Sequence, residues 1–237
     1  MKVIILSNTK YKENDVIFNA ISETETLSFK AFRGQDNKAQ IVWLNNPLTI
    51  AEVEFSDRRY KHPTLKDANL VFSPFTGNNS LENLYSISFI TEVTNQMFQD
   101  EEKYLLFKDI EGALKAIDGG KDILLVSLIF LAHAIKYAGA ELEINQCVFC
   151  GKTNDIVTFS FPDGGFVCRN CAEEMMNNDL SPNQMRLIRY IFKSPDYSCV
   201  QGEKYSKEDK IVVFKHLKEY VKDDLGVYLN SVDTLIK

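Results

Sequence analysis

Four thiols stand in two CxxC pairs, Cys147-Val148-Phe149-Cys150 and Cys168-Arg169-Asn170-Cys171, with seventeen residues between Cys150 and Cys168. Two intervening residues let both thiolates of a pair face inward while backbone N–H groups point at the sulfurs. Two such pairs close a tetrahedron of sulfurs, a geometry and ligand softness that suit zinc. Four thiolates also fill the coordination shell and leave no position for water or substrate. One structural Zn2+ is therefore expected, folding a segment too short to build its own core. Gly151 suits the left-handed conformation that such a turn requires, whereas Ala172, in the matching place of the second pair, fits less naturally. Between the pairs, residues 156–161 read as a strand, and Pro162-Asp163-Gly164-Gly165 as a tight turn into Phe166-Val167. The whole reads as a zinc-ribbon hairpin over about residues 144–175. Reduced core cysteines, a disulfide pair or an iron–sulfur cluster are the alternatives to zinc. Cys199 stands alone and reads as an ordinary free thiol.

No catalytic constellation accompanies these cysteines. His62, His133 and His216 lie in no ligand spacing such as HExxH, and no GxSxG, Walker loop or GxGxxG is present. Carboxylates are plentiful but scattered. The chain reads as a binding protein without enzymatic activity and with no catalytic residue.

Two basic groups are candidates for binding. In the first third, Lys10, Lys12, Arg33, Lys38, Arg58, Arg59 and Lys61 cluster near Tyr11, Phe32, Trp43 and Tyr60. Small barrels hold single strands by tracking phosphates with basic side chains while aromatic rings stack on bases. Ordinary solvated loops account for the same pattern, and Trp43, inside an apolar run, reads as core. Further on, Arg186, Arg189 and Lys193 form a basic stripe beside Met185, Leu187, Ile188, Ile191 and Phe192. Such a stripe can receive an acidic, apolar peptide or a phosphate, and it also describes the solvated face of any amphipathic helix.

The elements that must position these groups follow from the pattern. Residues 1–72 alternate in short apolar runs: Val3-Ile4-Ile5-Leu6, Val16-Ile17-Phe18, residues 27–32, Ile41-Val42-Trp43-Leu44 and residues 50–55. Turn-like breaks separate them, so this part reads as a small barrel or sandwich, with a five-stranded barrel the economical form for so short a segment. The pattern changes around residues 73–80. Domains are therefore expected at 1–76, a small β-barrel and candidate nucleic-acid-binding domain, and at 80–237, a helical domain with the ribbon inserted. The fold class is α+β. Helices are expected over residues 84–93 behind a Ser80 cap, over 104–117 and over 123–138 up to Gly139. Another is expected from the Ser181-Pro182-Asn183-Gln184 start to Lys193, and a last one after Ser206.

With 237 residues, 45% hydrophobic and 25% charged, the composition is globular. The four-residue apolar stretch near the start is too short for a secretory signal. The run at residues 123–132 is too short to span a bilayer, so a soluble, cytoplasmic protein is expected. The net charge of -6 is uneven. Residues 1–80 carry 10 Lys and Arg against 9 Asp and Glu, a net of +1, and residues 81–237 carry 17 against 24, a net of -7. A polyanion would meet the first part.

Taken in order, a small barrel, a helical body and an inserted four-cysteine ribbon resemble the RecO family of DNA repair and recombination mediators. Val3-Ile4-Ile5-Leu6 followed by Tyr11-Lys12-Glu13-Asn14-Asp15 is similar to that family's opening strand and Y-x-E-x-D turn. Glu143-Ile144-Asn145-Gln146 leading into Cys147, with Phe159, Gly164-Gly165, Cys168 and Cys171, is similar to its zinc segment. The resemblance implies an oligonucleotide/oligosaccharide-binding (OB) barrel on a helical domain, binding of single- and double-stranded DNA, and annealing. It also implies contacts with RecR and with single-stranded DNA-binding protein (SSB), and hence loading of RecA onto coated DNA. The stretch from Phe32 to Lys38 keeps two basic residues, Arg33 and Lys38, where family members usually have a basic run, and the chain is acidic. A second reading is therefore a zinc-ribbon protein–protein adaptor with little DNA affinity of its own.

Overall fold

The computed structural model describes residues 1–11, 15–32, 41–56, 62–75, 80–172, 180–200 and 204–237. The chain divides into two compact units, Met1–Asp118 and Gly119–Lys237. Strands give way to helices near residue 80, and the first two long helices group with the strands.

The first unit is built on an antiparallel five-stranded sheet in the order β3-β2-β1-β4-β5. Its strands are β1 (Lys2–Lys10), β2 (Val16–Ile21), β3 (Thr26–Ala31), β4 (Ile50–Phe55) and β5 (Leu65–Phe72). β1 is central, with Ile4 opposite Ile21 on one side and Ile50 on the other. Val3, Ile4, Ile5 and Leu6 are all buried. A register shift between Ile5 and Ser7 accompanies this departure from strict alternation. One face holds Val3, Ile5, Phe18, Phe29, Leu44 and Val53, with Phe29 stacked on Phe18 at 5.4 Å and tilted against Phe55 at 5.2 Å. Lys30 of β3 forms one isolated parallel bridge with Thr64, just before β5, where the Lys30 N–H donates to the Pro63 carbonyl at 2.9 Å.

The run Ile41-Val42-Trp43-Leu44, expected as a strand, is instead a 3-10 turn over Val42–Asn45. It drops Leu44 into the core and half-buries Trp43 against it, and the chain then turns through Leu48 at φ 57°. The fifth strand is β5, whose outward Leu70 and Val71 are exposed, so it shows no apolar alternation. Behind the sheet come α1 (Leu81–Met97), a 3-10 segment (Asp100–Leu106) and α2 (Phe107–Asp118). Ser80 caps α1 by accepting from the Asn83 N–H at 3.1 Å.

The second unit is centred on α3 (Ile123–Tyr137), which is apolar all round and buried over Leu125 to Ala132. A helix of that kind needs cover on every side. The ribbon strands β6 (Ile156–Ser160) and β7 (Gly165–Cys168) follow, then a short α4 (Arg169–Ala172). α5 (Pro182–Lys193) and α6 (Lys207–Leu225) pack on α3 and on each other, and α7 (Ser231–Leu235) closes the unit. α5 starts with the full capping box, Ser181 accepting from Gln184 N–H and Gln184 accepting from Ser181 N–H. Among the described residues no helix is long and apolar enough to cross a membrane.

Candidate metal centre and binding surfaces

The two halves of the cysteine site are held by different local structures. At the first, Gly151 adopts φ 72°. Its N–H returns to the Cys147 carbonyl at 2.9 Å, while the Cys147 N–H donates to Lys152 O at 2.8 Å. A side chain at Gly151 would be strained by that φ alone. At the second, residues 169–172 form the single helical turn α4. Ala172 is thus helical, and no glycine is needed there. A β6–β7 ladder joins the halves, with Gly164 at φ 73° in its turn.

This arrangement brings all four Sγ atoms within 4.8 Å of one another, Cys150 and Cys168 at 3.6 Å. A tetrahedral ion with bonds of about 2.3 Å sets its sulfurs roughly 3.8 Å apart, so the cluster has the size of such a site. Its electrostatics agree. Burial pushes the Cys147 thiol up, but N–H groups of Cys168, Cys150 and Phe149 outweigh it and bring the pKa down to about 6. Cys171, crowded first by the Cys150 sulfur, then by burial, Cys168 and Cys147, is pushed up to about 12. Four sulfurs this close repel one another as thiolates, and a divalent cation among them removes that repulsion. The group fits a metal ion.

The basic residues of the first unit divide. Lys10 is exposed at the end of β1, opposite Val16. Lys12, Arg33, Lys38, Arg58, Arg59 and Lys61 lie outside the described residues. Between them the structure reveals a lysine that the pattern did not single out. Lys30 sets its ammonium 4.6 Å from the Tyr11 ring and 4.7 Å from the Phe32 ring, with Asp15 at 3.9 Å. Both rings are more than half exposed, at 52% and 59%. Only the alternation of β3, which turns Lys30 away from the core, hints at this in the sequence.

On α5, Arg186, Arg189 and Lys193 do come together, lining one open groove of about 440 Å3 with Tyr190, Lys204 and Tyr205. Arg189 is partly committed to the fold, donating to Ile144 O at 2.9 Å and lying 4.8 Å from the Phe166 ring. Lys204 lies over Tyr190 at 4.4 Å. The Tyr190 hydroxyl donates to Cys199 O at 2.5 Å. Burial first, then the Cys199 thiol beside it, raises its pKa. The two tyrosines and Lys204 escaped the sequence reading because they meet only in the fold. Cys199 lines the same groove.

The family described as "Recombination protein O C terminal" matches residues 78–233. A "DNA repair protein RecO" of Streptococcus agalactiae is 25% identical over 232 residues, covering 96% of this chain and 90% of the relative. Relatives of the same description from Thermoanaerobacter sp. (25% over 240 residues, 98% and 94% covered) and Halalkalibacterium halodurans (25% over 230, 96% and 90%) match along nearly their whole length.

Proposed function

Since this chain belongs to the RecO family of DNA repair proteins, we propose that it is a DNA-binding recombination mediator that anneals strands and helps load RecA onto SSB-coated DNA. The observation that carries this reading is Lys30 between the exposed rings of Tyr11 and Phe32. A cation flanked by open aromatic faces is what a single strand needs, a phosphate partner beside stacking platforms. The sheet order and the Lys30–Thr64 bridge support an OB-like barrel closed between β3 and β5. Lys10, Lys12, Arg33, Lys38, Arg58, Arg59 and Lys61 would extend the phosphate track.

In the second unit, Cys147, Cys150, Cys168 and Cys171 would hold one zinc ion, which supplies folding energy and no open coordination position. The groove of Arg186, Arg189 and Lys193 suits an acidic, apolar peptide such as the SSB tail, and RecR is a further expected partner. The work is binding and positioning, with no covalent step.

Anisotropy with a labelled single-stranded oligonucleotide tests the DNA reading. Tyr11→Ala/Phe32→Ala should weaken binding by about 1–3 kcal/mol per stacked base lost. Lys30→Ala should flatten the slope of log affinity against log salt by about 0.7. No binding at low salt, or no change in these variants, favours the adaptor reading, which the net charge of -7 over residues 81–237 supports. Under that reading, annealing of SSB-coated strands is also absent.

A further inference from the structure

The ribbon hairpin reaches past its cysteines. Its tip, Phe161 and Pro162, forms one wall of a second groove, of about 320 Å3, whose other wall is α6. The α6 residues there are His216, Glu219, Tyr220, Asp223 and Asp224, spaced i, i+3, i+4, i+7 and i+8 and so aligned along one side. The buried stripe of α6 is a different set, Val213, Phe214, Leu217 and Val221. The groove residues thus lie along a second side of α6, apart from that stripe, and the exposed carboxylates among them add nothing to the core.

The rings are held in place. Phe161 lies flat on His216, centroids 5.3 Å apart and planes 5° from parallel, with Tyr220 6.0 Å from Phe161. The Tyr220 hydroxyl donates to Ala140 O at 3.0 Å, which fixes its ring. Lys222 meets Glu219 at 3.1 Å, and among the described residues Asp223 and Asp224, both exposed, form no ion pair. Half-buried ring faces attract a cation through their quadrupole, and neighbouring carboxylates add charge and hydrogen-bond acceptors.

We infer that this groove receives an arginine-bearing basic segment of a partner protein. A guanidinium is planar, so it can stack on a ring and donate two hydrogen bonds to one carboxylate together. Other occupants fit less well. Three carboxylates repel a phosphate backbone. Among the described residues, the cysteines are the one set of three or more metal-ligating side chains whose ligand atoms converge, so the groove offers no ion site. The volume is at the small end for a binding cleft, enough for one or two side chains. The inference lies beyond the DNA and acidic-peptide readings, which use other residues.

Anisotropy of the full chain with a labelled peptide of alternating arginine and serine, at low ionic strength, is the test. Asp223→Asn/Asp224→Asn should weaken binding about tenfold or more. The lysine version of the peptide should bind less well than the arginine version. Glu101→Gln/Glu102→Gln removes two exposed carboxylates of the first unit and changes the net charge equally, and it should leave the affinity unchanged. Equal weakening by both pairs, or none by the α6 pair, overturns the inference. Far-ultraviolet circular dichroism confirms that each exposed pair has left the fold intact. The peptide readout involves no DNA, so failure here and failure of the DNA reading are separately visible.

Discussion

The carbonyl oxygen of Glu143 lies 2.7 Å from where a Cβ on Gly165 would stand. Glu143 donates its N–H to Gly164 O at 2.7 Å and accepts from Phe166 N–H at 3.0 Å. The chain entering the ribbon thus runs hard against β7, at a distance that only glycine permits. Gly165→Ala is expected to cost about 1–3 kcal/mol, the usual penalty of overpacking against atoms that cannot yield. Urea denaturation followed by circular dichroism measures it, and a stability equal to wild type would show that the segment is free to shift.

The cysteine cluster yields a second prediction. Purified protein should carry about one zinc per chain, the stoichiometry of a closed four-cysteine site. Cys168→Ser, which removes a buried ligand, should lose the metal and much of the ribbon's protection from proteolysis, since metal binding and folding are linked in such segments. Protons compete with the ion for thiolates, so acidification should release it. Elemental analysis and limited proteolysis across a pH series check both. A folded, protease-resistant protein without metal would contradict the assignment.

Much of this is legible in the sequence. Caps state themselves locally: Ser80, the Ser181-Pro182-Gln184 start and Ser206 each begin a helix where the side chain can accept the N–H three residues on. The spacing of the CxxC pairs points to the four-cysteine cluster that the fold brings together. What escaped depends on tertiary context. Residues 41–44 carry strand-like residues, yet the chain winds there into a 3-10 turn that delivers Leu44 to the core. β5 hides because its outer face keeps Leu70 and Val71 exposed. Phe161 on His216, and Lys204 over Tyr190, pair residues 55 and 14 positions apart in the sequence, and no periodicity within one element announces such a meeting.

A pH dependence follows from Glu111, on α2. Burial pushes its carboxyl up, but hydrogen bonds and charge from Lys115 and Lys2 outweigh that and hold it below the usual carboxylate range. Lys2 reaches it from β1 at 2.5 Å, so the pair ties sheet to helix within the first unit. A depressed folded pKa gives stability that is fully present above the unfolded value, about 4.3. That contribution is lost as pH falls through the lower folded value. The denaturation midpoint of Glu111→Gln should therefore fall below wild type at neutral pH. The difference should shrink as both are acidified below about pH 4. A constant difference across the series would show that the carboxylate is not the cause.

The last prediction concerns Asp122 and Lys210, which join α3 to α6. Asp122 caps α3 by accepting from Leu125 N–H at 2.8 Å and also accepts from the Lys210 ammonium at 2.5 Å. The two side chains are only 18% and 6% exposed. Removing one partner leaves the other charge in a poorly solvated place, which typically costs about 3–5 kcal/mol, whereas replacing both with apolar groups is far less damaging. Asp122→Ala strands the ammonium and also removes the cap, so it should be the worst of the three variants. Lys210→Met keeps the aliphatic stem and leaves Asp122 its cap bond, so its loss should be smaller. The double variant should be more stable than the sum of the two losses predicts, a positive coupling that urea denaturation of all four proteins resolves. Simple additivity would mean that the 2.5 Å contact contributes nothing and that only the cap at Asp122 matters to α3.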